Sequence, residues 1–294
     1  MLFILYSLNA LLMIGMPIGL GLWLARKTQA PWLLFGIGAI TFIGSQVVHL
    51  PLNTGLTLLF KAIWPSAQPQ WWHIPFNAVV LGLTAGLCEE TARYIGYRWL
   101  AKNARYWRDA LMLGAGHGGI EAILLGGYVA LTFVNMIVLR QMDLAMLGLT
   151  GDALAKTQRD VATFWSAPAY LVPLGAVERL FSLTVHISLS VMVLQVFTRR
   201  NRGWLAMAIG YHLLADAAAV FGASSGWSPL VIEAVVGMFA LASLAMILRL
   251  RPKGEALVPP EPEPVLISGA PQSPRLASNR KADIDRQLDE SKYT

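Results

Sequence analysis

The sequence predicts an all-α protein, a polytopic bundle of about seven transmembrane helices with its N-terminus outside and its C-terminus in the cytoplasm. Composition points to this class, because 55% of the 294 residues are hydrophobic and only 14% are charged. A soluble domain with one core does not carry so apolar a sequence. Lys and Arg on cytoplasmic loops account for the net charge of +6, so we expect no nucleic-acid partner.

Seven apolar runs are long enough to cross a bilayer. They lie at residues 2–24, 31–53, 75–98, 109–139, 166–198, 203–222 and 229–249. Basic residues cluster after every second run, at Arg26 and Lys27, at Arg98, Lys102, Arg105 and Arg108, at Arg199, Arg200 and Arg202, and at Arg249, Arg251 and Lys253. Because such residues stay on cytoplasmic loops, these four loops define the cytoplasmic side.

The chain divides into two parts by composition. Residues 1–250 are predicted to form the transmembrane domain, which contains the candidate site. Residues 251–294 include "PPEPEP" and a polar, charged segment that is poor in aromatic residues. Such a sequence cannot bury enough apolar surface to fold, so a disordered cytoplasmic tail is predicted.

The third run contains the segment "LCEETARYIGYRW", which places Glu89, Glu90 and Arg93 inside a predicted span. Each such residue costs roughly 2.5 to 3.5 kcal/mol to insert at the centre of a membrane helix. An ionisable residue inside a span is therefore a candidate for function, and these three are the candidate catalytic residues.

Further ionisable residues lie at a similar depth in the neighbouring runs. They are His117, Glu121, His186, His212 and Asp216. The layer lies roughly 12 to 20 Å from the cytoplasmic edge at the rise of an α-helix. Residues four apart share a helix face, which pairs Glu89 with Arg93 as well as His117 with Glu121. We expect one shared site, reached by water from the cytoplasmic side.

Histidines and carboxylates together form a ligand set suited to zinc, with a carboxylate to spare as general base. The candidate metal ligands are His117, Glu121, His186, His212 and Asp216. Glycines around His117 in "GAGHGGIE" would let another helix or a substrate backbone approach closely.

Four other polar residues are predicted to be structural. Glu178 and Arg179 are expected to form a neutralised pair far from the layer. His49 is expected to mark the outer end of the second span, and Glu233 lies near the outer edge of the last one.

Four motifs carry a resemblance to a known family: "EETAR", "GHGGIEA", "ERLFSLTVHISLS" and "HLLAD". They resemble the YhfC family of intramembrane metallopeptidases over residues 1 to about 250. More distantly they are similar to PrsW proteases and to the CAAX-prenyl-endopeptidase-like family. The positions that match those wider motifs are Glu89, Glu90, Arg93, Glu121, His186, His212 and Asp216.

One motif of the CAAX-like proteins is not matched in full, because their Phe-x-x-x-His has no counterpart here. His117 is preceded at that spacing by Leu113, and His186 by Ser182. Both histidines therefore remain candidates for the same role.

The resemblance implies an integral, multi-pass endopeptidase of a bacterial cell membrane. Its glutamate-activated water would attack a peptide bond of a membrane protein or of a lipid-anchored peptide, and zinc is the expected cofactor. The bilayer and a second copy of the chain are further expected partners. Two alternatives stay open: a proton-coupled transporter that uses the same buried layer, and a non-catalytic membrane partner of the immunity type.

Overall fold

The computed structural model describes residues 1–63 and 70–252, and this part of the chain is helical throughout, with short connections. Its α-helices are α1 (Leu2–Thr28), α2 (Trp32–Ile63), α3 (Gln70–Ile95), α4 (Trp107–Gln141), α5 (Gly151–Trp165), α6 (Leu174–Thr198), α7 (Gly203–Ser224) and α8 (Pro229–Arg249). A π-helical turn, Gly96–Leu100, extends α3. The predicted tail lies outside the described residues from position 253 onward.

Six of the described helices are long and apolar enough to cross a membrane: α1, α2, α4, α6, α7 and α8. The all-helical transmembrane fold predicted from the sequence is thus confirmed. Helix α3 has 26 residues but is not among the six, and it contains the charged segment around Glu89. Its place as a seventh span, and the orientation of the termini, stay predictions.

Two helices have bounds in the structure that differ from those of the predicted spans. Helix α2 continues to Ile63, well past the predicted end at residue 53, with Pro51 inside it. Helix α6 begins at Leu174 instead of residue 166, because the preceding turn contains Pro168 and Pro173. Proline has no N–H to continue a helix and is best tolerated in its first turn, although a long membrane helix can contain one, as Pro51 shows.

Helix α5 was not predicted and lies in the connection between α4 and α6. None of its residues is buried, so it packs at the surface of the bundle. Its end is fixed by aromatic contacts, since the Phe164 ring stacks on Tyr6 at 4.2 Å. The Trp165 indole N–H also donates to the Met136 carbonyl at 3.1 Å.

The packed core lies where α4 and α6 meet. Met112 and Leu113 of α4 and Leu189 and Val191 of α6 are almost completely buried. All four belong to the halves of these helices nearest the basic loops. The core therefore fills that end of the bundle and leaves the candidate site at its edge.

Close helix contacts bring three helices around His117. A Cβ atom at Gly116 would lie only 2.0 Å from the Phe35 carbonyl of α2. At Gly118 it would lie 2.8 Å from the Cβ of His186 on α6. Only glycine permits such approaches. The approach to His117 expected from the sequence is thus made by α2 and α6.

Candidate active site

Glu89 and Glu90 contact different helices, because neighbouring positions on an α-helix point about 100° apart. The Oε1 atom of Glu89 accepts a hydrogen bond from Gln46 Nε2 of α2 at 3.0 Å. Its Oε2 atom lies 3.1 Å from His117 Nε2 of α4. Glu90 is turned toward α7, where its Oε1 accepts from His212 Nδ1 at 2.8 Å.

Arg93 forms an ion pair with Glu90, not with Glu89 as the spacing of four predicted. The two side chains are three residues apart and neither is exposed to solvent. The predicted pairing was wrong because Glu89 is already held between α2 and α4. Arg93 thus neutralises Glu90, whereas Glu89 contacts Gln46 and His117.

The ring of His117 is held in one tautomer by Thr41. The Thr41 hydroxyl donates to the Gly38 carbonyl at 2.7 Å and lies 2.9 Å from His117 Nδ1. A hydroxyl has one proton; when that proton is donated to the Gly38 carbonyl, Nδ1 is the donor in the second contact. In a neutral ring Nε2 then carries a lone pair, and it faces Glu89 Oε2. Two acceptors at 3.1 Å require a proton or a metal ion beside them.

His186 is held between an arginine and a carboxylate. Arg93 Nη2 donates to His186 Nδ1 at 3.3 Å, and a guanidinium has no acceptor atom. The Nε2 atom is therefore the one directed to Glu121, whose Oε2 lies 2.7 Å away. The other oxygen of Glu121 accepts from Arg179 Nη1 at 2.6 Å.

Arg179 is connected to the site, which corrects its prediction as part of a remote structural pair. It does contact Glu178, as expected. It also holds Glu121, the carboxylate that contacts His186. The prediction was wrong because Glu121 of α4 lies between Arg179 and His186 and contacts both.

His212 presents its second nitrogen to two carboxylates. With Nδ1 donating to the ionised Glu90, its Nε2 carries the lone pair in a neutral ring. This atom lies 3.4 Å from Asp216 Oδ2 and 3.9 Å from Glu89 Oε2. The Asp216 side chain is 42% exposed, whereas His212 is buried. The pair therefore links the buried cluster to the surface.

A cavity of about 110 Å³ adjoins the cluster between α6, α7 and α8. Its polar lining includes Glu89, Glu121, His186, His212, Asp216 and Glu178. From the cluster it extends along α6 and α7 toward Glu178 and Ala219, away from the basic loop at residues 199–202. The core fills the opposite side. Within the described residues this cavity thus extends away from the end of the bundle that has the basic loops, and the predicted access of water from the cytoplasmic side stays a prediction.

Three of these residues form a group suited to a metal ion. Glu89, His117 and His186 are all buried, and each offers one ligand atom within 4.8 Å of the others. Imidazole nitrogen and carboxylate oxygen are both zinc ligands. The donors thus fit a divalent transition metal, and the lone pair of His117 directed at Glu89 is the observation that supports this.

The structure brings all eight predicted site residues into one connected network. Three further members, Thr41, Gln46 and Arg179, fix the orientation of a site residue but were not predicted as site residues. His49 was expected at a helix end but lies inside α2, within hydrogen-bond distance of Gln46 at 3.3 Å. The spacing of Gln46 and His49, three residues apart in an apolar run, was the signal that could have identified this face.

Fold and site together define a class: a membrane protein of several spans with a buried histidine–carboxylate centre. Comparison with known families places the chain within that class. The model of the family described as YhfC intramembrane metalloprotease matches residues 12–237. The chain belongs to this family, and the match includes every candidate site residue.

A relative from Bacillus subtilis (strain 168) supports the membership. The chain is 31% identical over 210 residues to a protein described as uncharacterized membrane protein YhfC. The aligned part covers 70% of this chain and 79% of the relative. No solved structure matches the chain. The chain is thus a membrane protein of the same family as the Bacillus protein.

Proposed function

We propose that this protein is an intramembrane endopeptidase that hydrolyses a peptide bond of a membrane-associated substrate at the cluster of Glu89, His117 and His186. The single observation that carries the proposal is the contact between Glu89 Oε2 and His117 Nε2, 3.1 Å apart and buried. A carboxylate and an imidazole lone pair face each other there, with a cavity beside them. The family description supports the same activity.

Glu89, His117 and His186 would hold the metal. Because a metal ligand is deprotonated, His186 Nε2 would lose its proton on binding, with Glu121 Oε2 2.7 Å away. Zinc fits these donors and, when bound, supplies positive charge that makes water a stronger acid and polarises a carbonyl. Thr41 and Gln46 keep His117 and Glu89 turned toward each other. The bundle around them excludes bulk water, which strengthens every electrostatic contact inside.

His212 is the group we propose for proton transfer. Glu90 holds its Nδ1–H, so Nε2 faces the cavity and can accept a proton from the attacking water. The hydroxide oxygen bonds to the carbonyl carbon, the carbon–nitrogen bond breaks, and His212 returns the proton to the amine nitrogen. The sequence predicted Glu89 as a catalytic residue and His212 as a metal ligand. The proposal instead assigns metal binding to Glu89 and proton transfer to His212.

The cavity supports a substrate that reaches the site from within the membrane. Its volume of about 110 Å³ admits a few backbone atoms and a small side chain, so a folded domain cannot enter. It extends between helices that are apolar enough to face lipid. A peptide segment within a membrane protein, or next to a lipid anchor, meets both conditions.

Hydrolysis can be tested with the full-length protein in liposomes. The probe is a pool of synthetic single-span peptides with randomised central residues, and new termini are identified by mass spectrometry. We expect cleavage by the wild type and by Lys156→Ala, which changes an exposed residue of α5. We expect none by His117→Ala and a decrease of about 10²- to 10⁴-fold for His212→Ala.

Cleavage that is equal in all four proteins would contradict the proposal. Loss of cleavage in His212→Ala with its metal retained would favour the proton-transfer role. Loss of both cleavage and metal in His212→Ala would indicate that His212 is a metal ligand, as the sequence predicted.

A further inference from the structure

A row of polar side chains along α2 leads to Glu89, and the members behind Gln46 have no role in the proposed chemistry. Gln46, His49 and Asn53 lie three and four residues apart, so they share one face of this apolar helix. Each is part-buried and hydrogen-bonded to the next. Such groups are costly inside a membrane helix and mark functional positions.

Each hydrogen bond in this row is donated in the same direction along the row, from Thr84 toward Glu89. The Thr84 hydroxyl makes its shortest contact with Asn53 Oδ1, at 2.7 Å. Asn53 Nδ2 lies 2.8 Å from His49 Nε2, and an amide N–H can only donate to it. In a neutral ring His49 Nδ1 is then the donor to Gln46 Oε1, at 3.3 Å. Gln46 finally donates from Nε2 to Glu89 Oε1 at 3.0 Å.

The row starts and ends on the same helix. Thr84 and Glu89 both belong to α3, and the three side chains between them belong to α2. The orientation of every amide and imidazole in the row is set by its neighbours. Two of the links are amides, which do not pass protons readily, so the row is better suited to hold a group in place than to conduct protons.

We propose that Gln46, held by His49 and Asn53, is a positioning residue for Glu89. A carboxylate can rotate and offer either oxygen. Because Gln46 occupies Oε1, the other oxygen is kept facing His117 Nε2 at 3.1 Å and His212 Nε2 at 3.9 Å. This inference rests on the proposed function, in which Glu89 holds the metal, and it assigns α2 the part of orienting that ligand.

The first test measures zinc affinity of the full-length protein in detergent by competition with a chelator. We expect Gln46→Leu and His49→Leu to bind zinc about 10- to 100-fold more weakly than the wild type, the effect of losing a partner of a metal ligand. His49→Gln keeps one donor and one acceptor and should bind nearly as the wild type does. Thr54→Val is the matched control on α2, because its exposed hydroxyl donates to the Leu50 carbonyl of its own helix.

The second test is a thermal-unfolding cycle on metal-free protein with Gln46→Leu, Glu89→Leu and the double variant; leucine at position 89 has no acceptor for Gln46. We expect the decrease in Tm of the double variant to be smaller than the sum of the single decreases, because both remove the same hydrogen bond. This readout needs neither metal nor substrate.

The two tests distinguish the inference from the proposed function. A wild type that binds zinc, with Gln46→Leu equally tight, would overturn the positioning role. A wild type that binds no zinc would contradict the proposed function, and the cycle would then decide the inference alone. Additive decreases in Tm would overturn it, and coupled decreases would support it.

Discussion

His117 Nε2 lies 3.1 Å from Glu89 Oε2, with the opposite nitrogen of the imidazole held by Thr41. The contact joins α3 to α4, and a third helix, α2, supplies Thr41. Neither atom of the contact has a proton of its own to share when the ring is neutral and the carboxylate is ionised. A proton or a metal ion beside the two atoms would satisfy both of them, and this connects the fold to the proposed chemistry.

Thr41→Val is predicted to weaken zinc binding. Valine has the shape of threonine but cannot accept from His117 Nδ1, so the ring loses the contact that fixes its tautomer. We expect about 10- to 100-fold lower zinc affinity in a chelator competition. Thr41→Ser keeps the hydroxyl and is the control. Equal affinity in the valine variant would show that Thr41 does not orient the ligand.

Arg179→Met is predicted to destabilise the protein by leaving Glu121 without its charged partner. The two side chains are 8% and 19% exposed, and breaking such a buried pair costs roughly 3 to 5 kcal/mol. We expect a clear decrease in Tm in detergent. Adding Glu121→Gln should recover part of that decrease, because the uncompensated charge is removed.

The exposed pair of Lys156 and Asp160 provides the comparison for Arg179. Lys156→Ala should leave Tm almost unchanged, since solvent-exposed pairs contribute little. A Tm for Arg179→Met equal to that of the wild type would mean that Glu121 is stabilised by His186 alone.

Gly116→Ala is predicted to separate α2 from α4 and to lower stability. The added methyl group would lie 2.0 Å from the Phe35 carbonyl, and a helix backbone cannot move aside without disturbing its neighbours. Overpacking of this kind costs roughly 1 to 3 kcal/mol or more. Gly127→Ala, on the same helix with no atom within 4 Å, should be neutral. The comparison of the two Tm values checks the packing at this position.

Most of the site could be predicted from the sequence because ionisable residues are rare inside apolar runs. Glu89, His117 and His212 were each visible for that reason, and helix periodicity placed them at one depth. The partner of each group was harder to predict. By spacing alone, Arg93 could pair with either glutamate. It pairs with Glu90 because α3 packs between α2 and α7.

Residues that orient the site gave a weaker signal. Thr41 is an ordinary residue of a membrane helix, and nothing in its own segment distinguishes it from other threonines. Arg179 was assigned to a remote pair because it lies far from the layer along its own helix, and the sequence does not show that Glu121 of α4 bridges it to His186. The start of the same helix was also placed too early, at residue 166. Hydrophobic runs define where a span can lie, whereas prolines and tertiary contacts define where its helix begins.

The most direct test of the metal centre is the metal content of the full-length protein, purified in detergent without chelator after zinc supplementation. Mass spectrometry would compare the wild type with Glu89→Gln, His117→Ala, His186→Ala and His212→Ala. We expect one zinc per chain in the wild type and in His212→Ala, with loss in the other three. A wild type without metal, or His117→Ala and His186→Ala variants with as much metal as the wild type, would contradict a metal centre at Glu89, His117 and His186.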